Sequence, residues 1–154
     1  MRIKLKKTHP AAKLPVYASE GAACFDLHAL GADWSINSQA YGVRVHPGSS
    51  QAFRTGLSFE VPEGHVMLIF SRSGHGFNSS VRLANCVGVI DSDYRGEVMV
   101  KLHGDGAHGH GLNVSDGDRI AQALVLPVQR VSFEDVDALS ETERGEGGFG
   151  STGE

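Results

Sequence analysis

The chain has 154 residues, of which 40% are hydrophobic and 21% are charged. This length and composition predict one globular domain with a buried core and exclude a disordered chain. The formal net charge of −4 lacks the basic excess that is typical of duplex-binding proteins. We therefore expect no stable nucleic-acid binding.

No apolar run approaches the roughly 18 residues that a membrane span requires, and no signal-peptide pattern is present. We therefore expect a cytoplasmic protein without a membrane partner. In a reducing compartment, Cys24 and Cys86 are expected to be free, buried thiols and not a disulfide.

Short β-like segments separated by turns run along the first half of the chain. Residues 2–7 alternate basic and apolar side chains, which favours a strand over a nucleic-acid-binding arm. Residues 43–45 and 53–59 are also typical of strands. The Pro-Glu-Gly sequence at 62–64 ends that pattern before a continuous apolar run at 65–70.

The second half continues in the same way, with one short exception. A single helical turn is predicted within residues 73–80. Val98, Val100 and Leu102 share one face of a strand. Residues 120–128 are apolar on both faces and are predicted to be buried. Regular short strands with Gly/Pro turns predict an all-β sandwich or barrel.

The C-terminal segment has a different composition. Residues 133–143 carry five acidic residues and no basic one, and residues 144–153 are glycine-rich. Such a segment cannot hold itself folded, so one interpretation is a frayed terminus. The alternative is that its flexible backbone wraps a phosphate while Arg144 and Phe149 contact a ligand.

Two internal segments carry polar groups that suit a ligand site. Residues 71–76 place hydroxyls, glycines and an arginine after an apolar strand, which suits a phosphate, although alone they favour an ordinary Ser/Gly turn. In residues 85–96, two acidic residues and Tyr94 interrupt a run of β-formers. This pattern favours a hairpin turn at 91–93 that also holds a carboxylate beside the ligand as a general base.

The histidine-rich segment 103–111 suggests a metal site, because His108 and His110 would lie on one side of a strand. Glycines lie on both sides of His110 and directly after His108, so we favour a solvated hairpin loop instead.

Taken in order, five segments resemble the motifs of the trimeric dUTPase family along nearly the whole chain. They are residues 23–27, 72–76, 85–96, 117–122 and 144–153. Each motif is weak alone, but their order and spacing are specific. This chain departs from the family pattern at Cys24, where a glycine is usual, and at His75, where an apolar residue is common.

The resemblance implies an all-β, distorted jelly-roll barrel over residues 1–132 that assembles as a homotrimer with shared active sites. One subunit would supply the third motif, another the first, second and fourth, and the third subunit its C-terminal arm. Residues 133–154 would then be an acidic linker and a Gly-rich arm that closes over a neighbouring subunit's active site.

The resemblance also implies an activity, the hydrolysis of dUTP to dUMP and pyrophosphate, with Asp91 activating a water for in-line attack at the α-phosphorus. Such an enzyme keeps uracil out of DNA and supplies dUMP for dTMP synthesis. Mg²⁺ would be held by substrate phosphates and waters, with no direct protein ligand and with Asp26 acting through water. The implied substrate-binding residues are Arg72, Ser73, Gly74, Asn85, Cys86, Val89, Ile90, Tyr94, Met99, Gln122, Arg144 and Phe149.

Two alternatives stay open. One is a dCTP deaminase-like enzyme of the same fold, against which the C-terminal arm, Asn85 and the spacing of Asp91 and Tyr94 argue. The other is a non-catalytic, nucleotide-binding regulatory trimer, which would be expected to lack Asp91 or Arg144.

Overall fold

The computed structural model describes residues 1–30, 42–106, 110–149 and 151. Nearly all of their regular structure is strand. The strands are β1 (Lys4–Lys7), β2 (Val16–Tyr17), β3 (Phe25–His28), β4 (Val43–Val45), β5 (Ser50–Arg54), β6 (Leu57–Glu60), β7 (His65–Phe70), β8 (Val81–Leu83), β9 (Val87–Ile90), β10 (Met99–Gly104), β11 (Leu112–Val114) and β12 (Arg119–Pro127). The helix α1 spans Ser73–Ser79, inside the segment where the sequence predicts a helical turn.

Two sheets contain most of these strands. The larger has the order β2-β3-β12-β7-β9 and the smaller the order β5-β10-β8, while β1 pairs with β6 and β11 with β4. All of these named strand pairs are antiparallel. The all-β fold expected from the sequence is therefore confirmed, as is the N-terminal strand.

Strand β12 lies in the centre of the larger sheet. In its first half Ile120, Ala121 and Ala123 are 0% exposed and Gln122 is half-buried, whereas Leu126 is 45% exposed. The predicted burial of residues 120–128 is thus confirmed for the first half and wrong for the end. The pairing with β3 stops where Ala123 meets Phe25, so the end of β12 has β7 alone as its neighbour in the sheet.

The predicted face of β10 is also confirmed. Val98, Val100 and Leu102 are each 1% exposed, whereas Lys101 is exposed. Burying a side chain of this kind stabilises the fold by about 1.5–3 kcal/mol. Because a one-residue slip would turn this face outward, burial fixes the register of β10 and directs Met99 away from the core.

The expectation for the two cysteines is half right. Cys24 and Cys86 are free, but Cys24 is half-buried and Cys86 is exposed. Cys86 occupies the tight turn between β8 and β9, where its N–H donates to the Leu83 carbonyl over 3.2 Å. A side chain at such a turn projects to the surface.

The two strands that flank the histidine-rich segment 103–111 do not pair with each other, which contradicts the predicted hairpin. They pair elsewhere, β10 with β5 and β8 and β11 with β4, so the segment connects two sheets. His110 is exposed, and His108 lies outside the described residues. Within the described ranges, no group of three or more His, Cys, Asp or Glu side chains is placed to hold a metal.

The chain leaves the barrel after β12. The Val128 N–H donates to the Gly64 carbonyl over 2.8 Å, and residues 129–146 are exposed. None of the described residues forms a helix with the length and hydropathy that a membrane crossing needs. The boundary at residues 132 and 133 stays a prediction.

Candidate active site

A cavity of about 400 Å³ lies between β9 and β10 and brings four predicted site residues together: Asn85, Val89, Ile90 and Met99. We call it the β9–β10 cavity. It exists because β9 is the last strand of the larger sheet, whereas β10 is the central strand of the smaller one. The two strands therefore diverge and leave main-chain and apolar groups facing a common space. Cys86, also predicted at the site, is not among the lining residues.

The turn that leads into β9 is held tightly. The Ala84 N–H donates to the Lys101 carbonyl over 2.8 Å, and the Val87 N–H donates to the Asn85 carbonyl over 2.6 Å. Cys86 adopts a φ of 62°, a left-handed conformation that costs energy for a residue other than glycine. Such strain is common at ligand-binding turns and here presents Asn85 to the cavity.

Asp91 follows β9 directly and is exposed. It lines a wide, open groove together with Asp93, Arg95, His65 and Val89. Val89 also lines the β9–β10 cavity, so the two spaces meet along one strand.

The predicted hairpin at 91–93 is wrong, because β9 pairs with β7 and not with β10. A local turn remains, in which the Tyr94 N–H donates to the Asp91 carbonyl over 3.2 Å.

The ring of Tyr94 folds back over its own loop. Its hydroxyl donates to the Glu97 carbonyl over 3.0 Å, and a Cβ atom on Gly96 would collide with the ring. The ring therefore packs closely against the main chain at Gly96. The Tyr94 side chain still has 43% exposure, so part of the ring is available to a ligand.

A second cluster joins the first, second and fourth motifs. Asp26 on β3 is 6% exposed. Its carboxylate lies 3.4 Å from Nε of Arg72 and 3.2 Å from Nη1 of Arg119. Gln122 is the cross-strand partner of Asp26, and its amide donates to the Ser71 carbonyl over 3.1 Å. We call Asp26, Arg72, Arg119 and Gln122 the arginine cluster.

His75, one of the two departures from the family pattern, contacts this cluster. Arg72 Nη1 donates to His75 Nε2 over 3.3 Å, because a guanidinium has no acceptor. Burial, and then the Arg72 charge, lower the pKa of His75. The neutral ring therefore helps to hold Arg72, which directly precedes two exposed residues, Ser73 and Gly74, at the start of α1.

The two predicted residues of the arm do not join either space in this single chain. Arg144 Nε donates to the Gly147 carbonyl over 2.7 Å. The Phe149 side chain is fully exposed, at 113% of its reference area. Neither residue lines the β9–β10 cavity or the groove.

Arg119 and Glu97 contact predicted site residues, Asp26 and Tyr94, and the sequence analysis did not single them out. Arg119 lies inside the fourth motif and Glu97 directly follows the third. Their positions beside the motifs were the available signal, since neither belongs to a recognisable spacing pattern.

The donor groups fit a cation that arrives with a nucleotide. Both oxygens of Asp26 already face arginines, so this carboxylate does not offer an unshared oxygen to a metal. Mg²⁺ prefers phosphate oxygens and waters to an all-protein cage. The expectation that Mg²⁺ is held by substrate phosphates and waters, with no direct protein ligand, stays a prediction.

Comparisons with known proteins agree on one family. The family profile for dUTPase matches residues 11–153. The chain is 44% identical over 140 residues to a deoxyuridine 5'-triphosphate nucleotidohydrolase of Anaplasma marginale, covering 91% of this chain and 88% of the relative. It is 40% identical to the protein of that name from Nautilia profundicola, covering 99% of each.

A solved structure shows the same fold. It is a mutant of the Staphylococcus bacteriophage 80alpha dUTPase with dUpNHpp, which aligns with a TM-score of 0.83 at 22% identity and covers 99% of this chain and 98% of that one. The match of the family profile, together with relatives of 40% and 44% identity over most of the chain, leads to one conclusion. The chain belongs to the dUTPase family.

Proposed function

We propose that this chain hydrolyses dUTP to dUMP and pyrophosphate. The observation that carries the proposal is the β9–β10 cavity, in which Asn85, Val89, Ile90 and Met99 face one space of about 400 Å³. Asp91 stands at the end of the same strand that lines the cavity. A base-sized pocket with a carboxylate at its edge is the arrangement that nucleotide hydrolysis needs.

The cavity suits a uracil ring. Uracil presents one N–H donor between two carbonyl acceptors, which the Asn85 amide and the main-chain groups of Cys86 and Met99 would match. A site built for that pattern rejects a mismatched base by about 10⁴-fold, because its own polar groups are left unpaired. The apolar walls from Val89 and Ile90 would leave no space for the methyl group of thymine.

The groove and the arginine cluster suit the triphosphate. Arg72 supplies charge, Ser73 a hydroxyl and Gly74 an accessible N–H, while Gln122 adds an amide. A water attacks the α-phosphorus, its proton passes to the Asp91 carboxylate, and the bond to the β-phosphate oxygen breaks to release pyrophosphate. A general base of this kind typically contributes 10²–10⁴-fold. Mg²⁺ bound to the phosphates would neutralise their charge.

We further propose a homotrimer in which each site combines three chains. The exposed arm supports this proposal, because Val131, Phe133 and Leu139 are 69%, 95% and 87% exposed. Several exposed apolar side chains within one short segment are typical of a segment that packs on a partner. Arg144 would then reach the γ-phosphate, and Phe149 would stack on the uracil of a neighbouring subunit.

Release of pyrophosphate from dUTP, dTTP, dCTP and UTP tests the activity. We expect dUTP to be the preferred substrate by a wide margin. Ammonia release from dCTP would favour the deaminase-like alternative. Binding of dUTP without turnover would favour a regulatory trimer.

We also propose a cytoplasmic location, which the free thiols Cys24 and Cys86 support because disulfides are rare there.

A further inference from the structure

An ion pair lies directly behind the Tyr94 loop. Arg54, at the end of β5, donates from Nε to Glu97 Oε1 over 3.0 Å and from Nη2 to Oε2 over 2.7 Å. Both side chains are mostly buried, at 17% and 18% exposure. Two parallel charge-assisted hydrogen bonds of this kind are strong and fix orientation as well as distance.

Two further donors complete the shell of the same carboxylate. The Thr8 hydroxyl donates to Oε2 over 2.8 Å, and the Gly56 N–H donates to Oε1 over 2.9 Å. Burial acts to raise the pKa of Glu97, but the hydrogen bonds from Arg54, Thr8 and Gly56 outweigh it and hold the pKa below its usual value. Glu97 is therefore an ionised group held by four donors from three residues, Thr8, Arg54 and Gly56.

The main chain at Glu97 carries this rigidity to Tyr94. The Tyr94 hydroxyl donates to the Glu97 carbonyl, and the ring lies directly against Gly96 between them. On the other side, the Val98 carbonyl accepts from the Thr55 hydroxyl over 2.6 Å. The position of the aromatic ring is therefore set by a backbone segment that is anchored on both sides.

We propose that Glu97 is a positioning residue for sugar selectivity, which fixes Tyr94 where a ribose 2′-hydroxyl would collide with its ring. This inference rests on the proposed function, in which Tyr94 lies against the deoxyribose. An apolar pocket alone rejects an added hydroxyl by only about 10²-fold. Because Glu97 holds the Tyr94 ring in place, the ring does not move away from a ribose 2′-hydroxyl. The full energetic cost of this steric collision then disfavours UTP.

Two variants remove different contacts in the chain of interactions that holds Tyr94 in place. Glu97→Ala removes the carboxylate, and Tyr94→Phe removes only the hydroxyl while the ring and the Arg54–Glu97 pair remain. Asp105→Asn is the control, because both Asp105 carboxylate oxygens accept from the single Nε donor of Arg82, Asp105 is not among the residues that line the cavity, and it is more exposed, at 48%.

The measurement is kcat/KM for dUTP and for UTP in each variant, together with Tm. We expect the selectivity ratio, kcat/KM for dUTP divided by kcat/KM for UTP, to fall about tenfold or more in both test variants. The ratio should stay unchanged in Asp105→Asn. Tm should fall in Glu97→Ala and stay near the parent value in Tyr94→Phe, which therefore carries the test if Glu97→Ala does not fold. Glu97→Gln, which keeps one acceptor oxygen, should restore part of the ratio.

A purely structural role for Glu97 gives a different result. In that case Tm falls in Glu97→Ala while the ratio stays at the parent value in both variants, and the inference is overturned. If the parent chain does not hydrolyse dUTP at all, the proposed function itself fails, and the two failures are thereby distinguished.

Discussion

Nε of Arg72 lies 3.4 Å from the carboxylate of Asp26, which joins the residue before α1 to the middle of β3. Asp26 is 6% exposed, and a carboxylate so buried requires charged partners. Arg119 is the second partner, at 3.2 Å. The orientation of Arg72 at the phosphate end of the site therefore depends on a residue that does not contact substrate in our proposal.

Replacing Asp26 with asparagine should weaken both stability and substrate binding. The change leaves two arginines beside a neutral amide, so we expect the free energy of unfolding to fall by about 2 kcal/mol. KM for dUTP should rise because Arg72 loses its orientation. Urea unfolding and steady-state kinetics measure the two effects.

Lys4→Ala provides the control for the Asp26 variant. Its pair with Glu60 is exposed, at 78% for the lysine, so the expected change in stability is within about 0.5 kcal/mol. Asp26→Asn with parental stability and KM would show that the arginine cluster does not depend on this carboxylate.

The His75 ring should make the protein less stable in acid. Burial, reinforced by the Arg72 charge, lowers the pKa of His75 below its ordinary value of 6.5. Between the lowered pKa and 6.5, the unfolded chain binds more protons than the folded chain, so stability rises with pH across that window. We expect the free energy of unfolding to decrease as pH falls from about 7 to about 5.

His75→Gln tests this origin, because glutamine keeps an acceptor for Arg72 but does not titrate. Chemical unfolding at several pH values should show a shallower slope in the variant. Part of the slope should remain, since burial and the Lys13 charge also lower the pKa of His28. An identical slope in parent and variant would rule out His75 as a contributor.

Local patterns in the sequence predicted what local forces decide. The alternation at Val98, Val100 and Leu102 was sufficient to orient β10, because burial of one face overrides other preferences. The hairpin predicted at 91–93 was wrong for the opposite reason. Packing between distant segments decides which strands pair, and β9 pairs with β7 and not with β10, the strand that follows it.

The arginine cluster and the contacts of the Glu97 carboxylate show the same limit of prediction from sequence. Arg54 and Glu97 are 43 residues apart, and Asp26 and Arg119 are 93 apart. No periodicity connects such positions in one sequence. The resemblance to a family supplied the site residues that lie within motifs, but the residues that hold them in place became visible only in the fold.

Asp91→Asn should separate binding from turnover. The amide preserves the size of the side chain, so binding of a non-hydrolysable dUTP analogue should stay within a few-fold of the parent value. Turnover should fall at least about 10²-fold, because the proton acceptor is lost. Calorimetry and pyrophosphate release measure the two quantities.

Asp93→Asn is the control for Asp91, since both side chains line the groove and only Asp91 follows β9 directly. The proposed role of Asp91 would be refuted by near-normal turnover in Asp91→Asn, or by an equal loss in Asp93→Asn.

A chain that ends at Glu143 should stay folded and lose most of its activity. Residues 129–146 are exposed, and the hydrogen bonds around Arg144 and Gly147 are local, so removal of the arm should leave Tm unchanged.

If the arm acts on a neighbouring subunit, the truncated chain still carries an intact Asp91 for sites that receive another chain's arm. Co-refolding it with full-length Asp91→Asn should then restore activity, although each variant alone is inactive. Random mixing at equal amounts should recover about a quarter of the parental sites. No recovery, with mixed oligomers confirmed by mass, would show that each arm serves the Asp91 of its own chain.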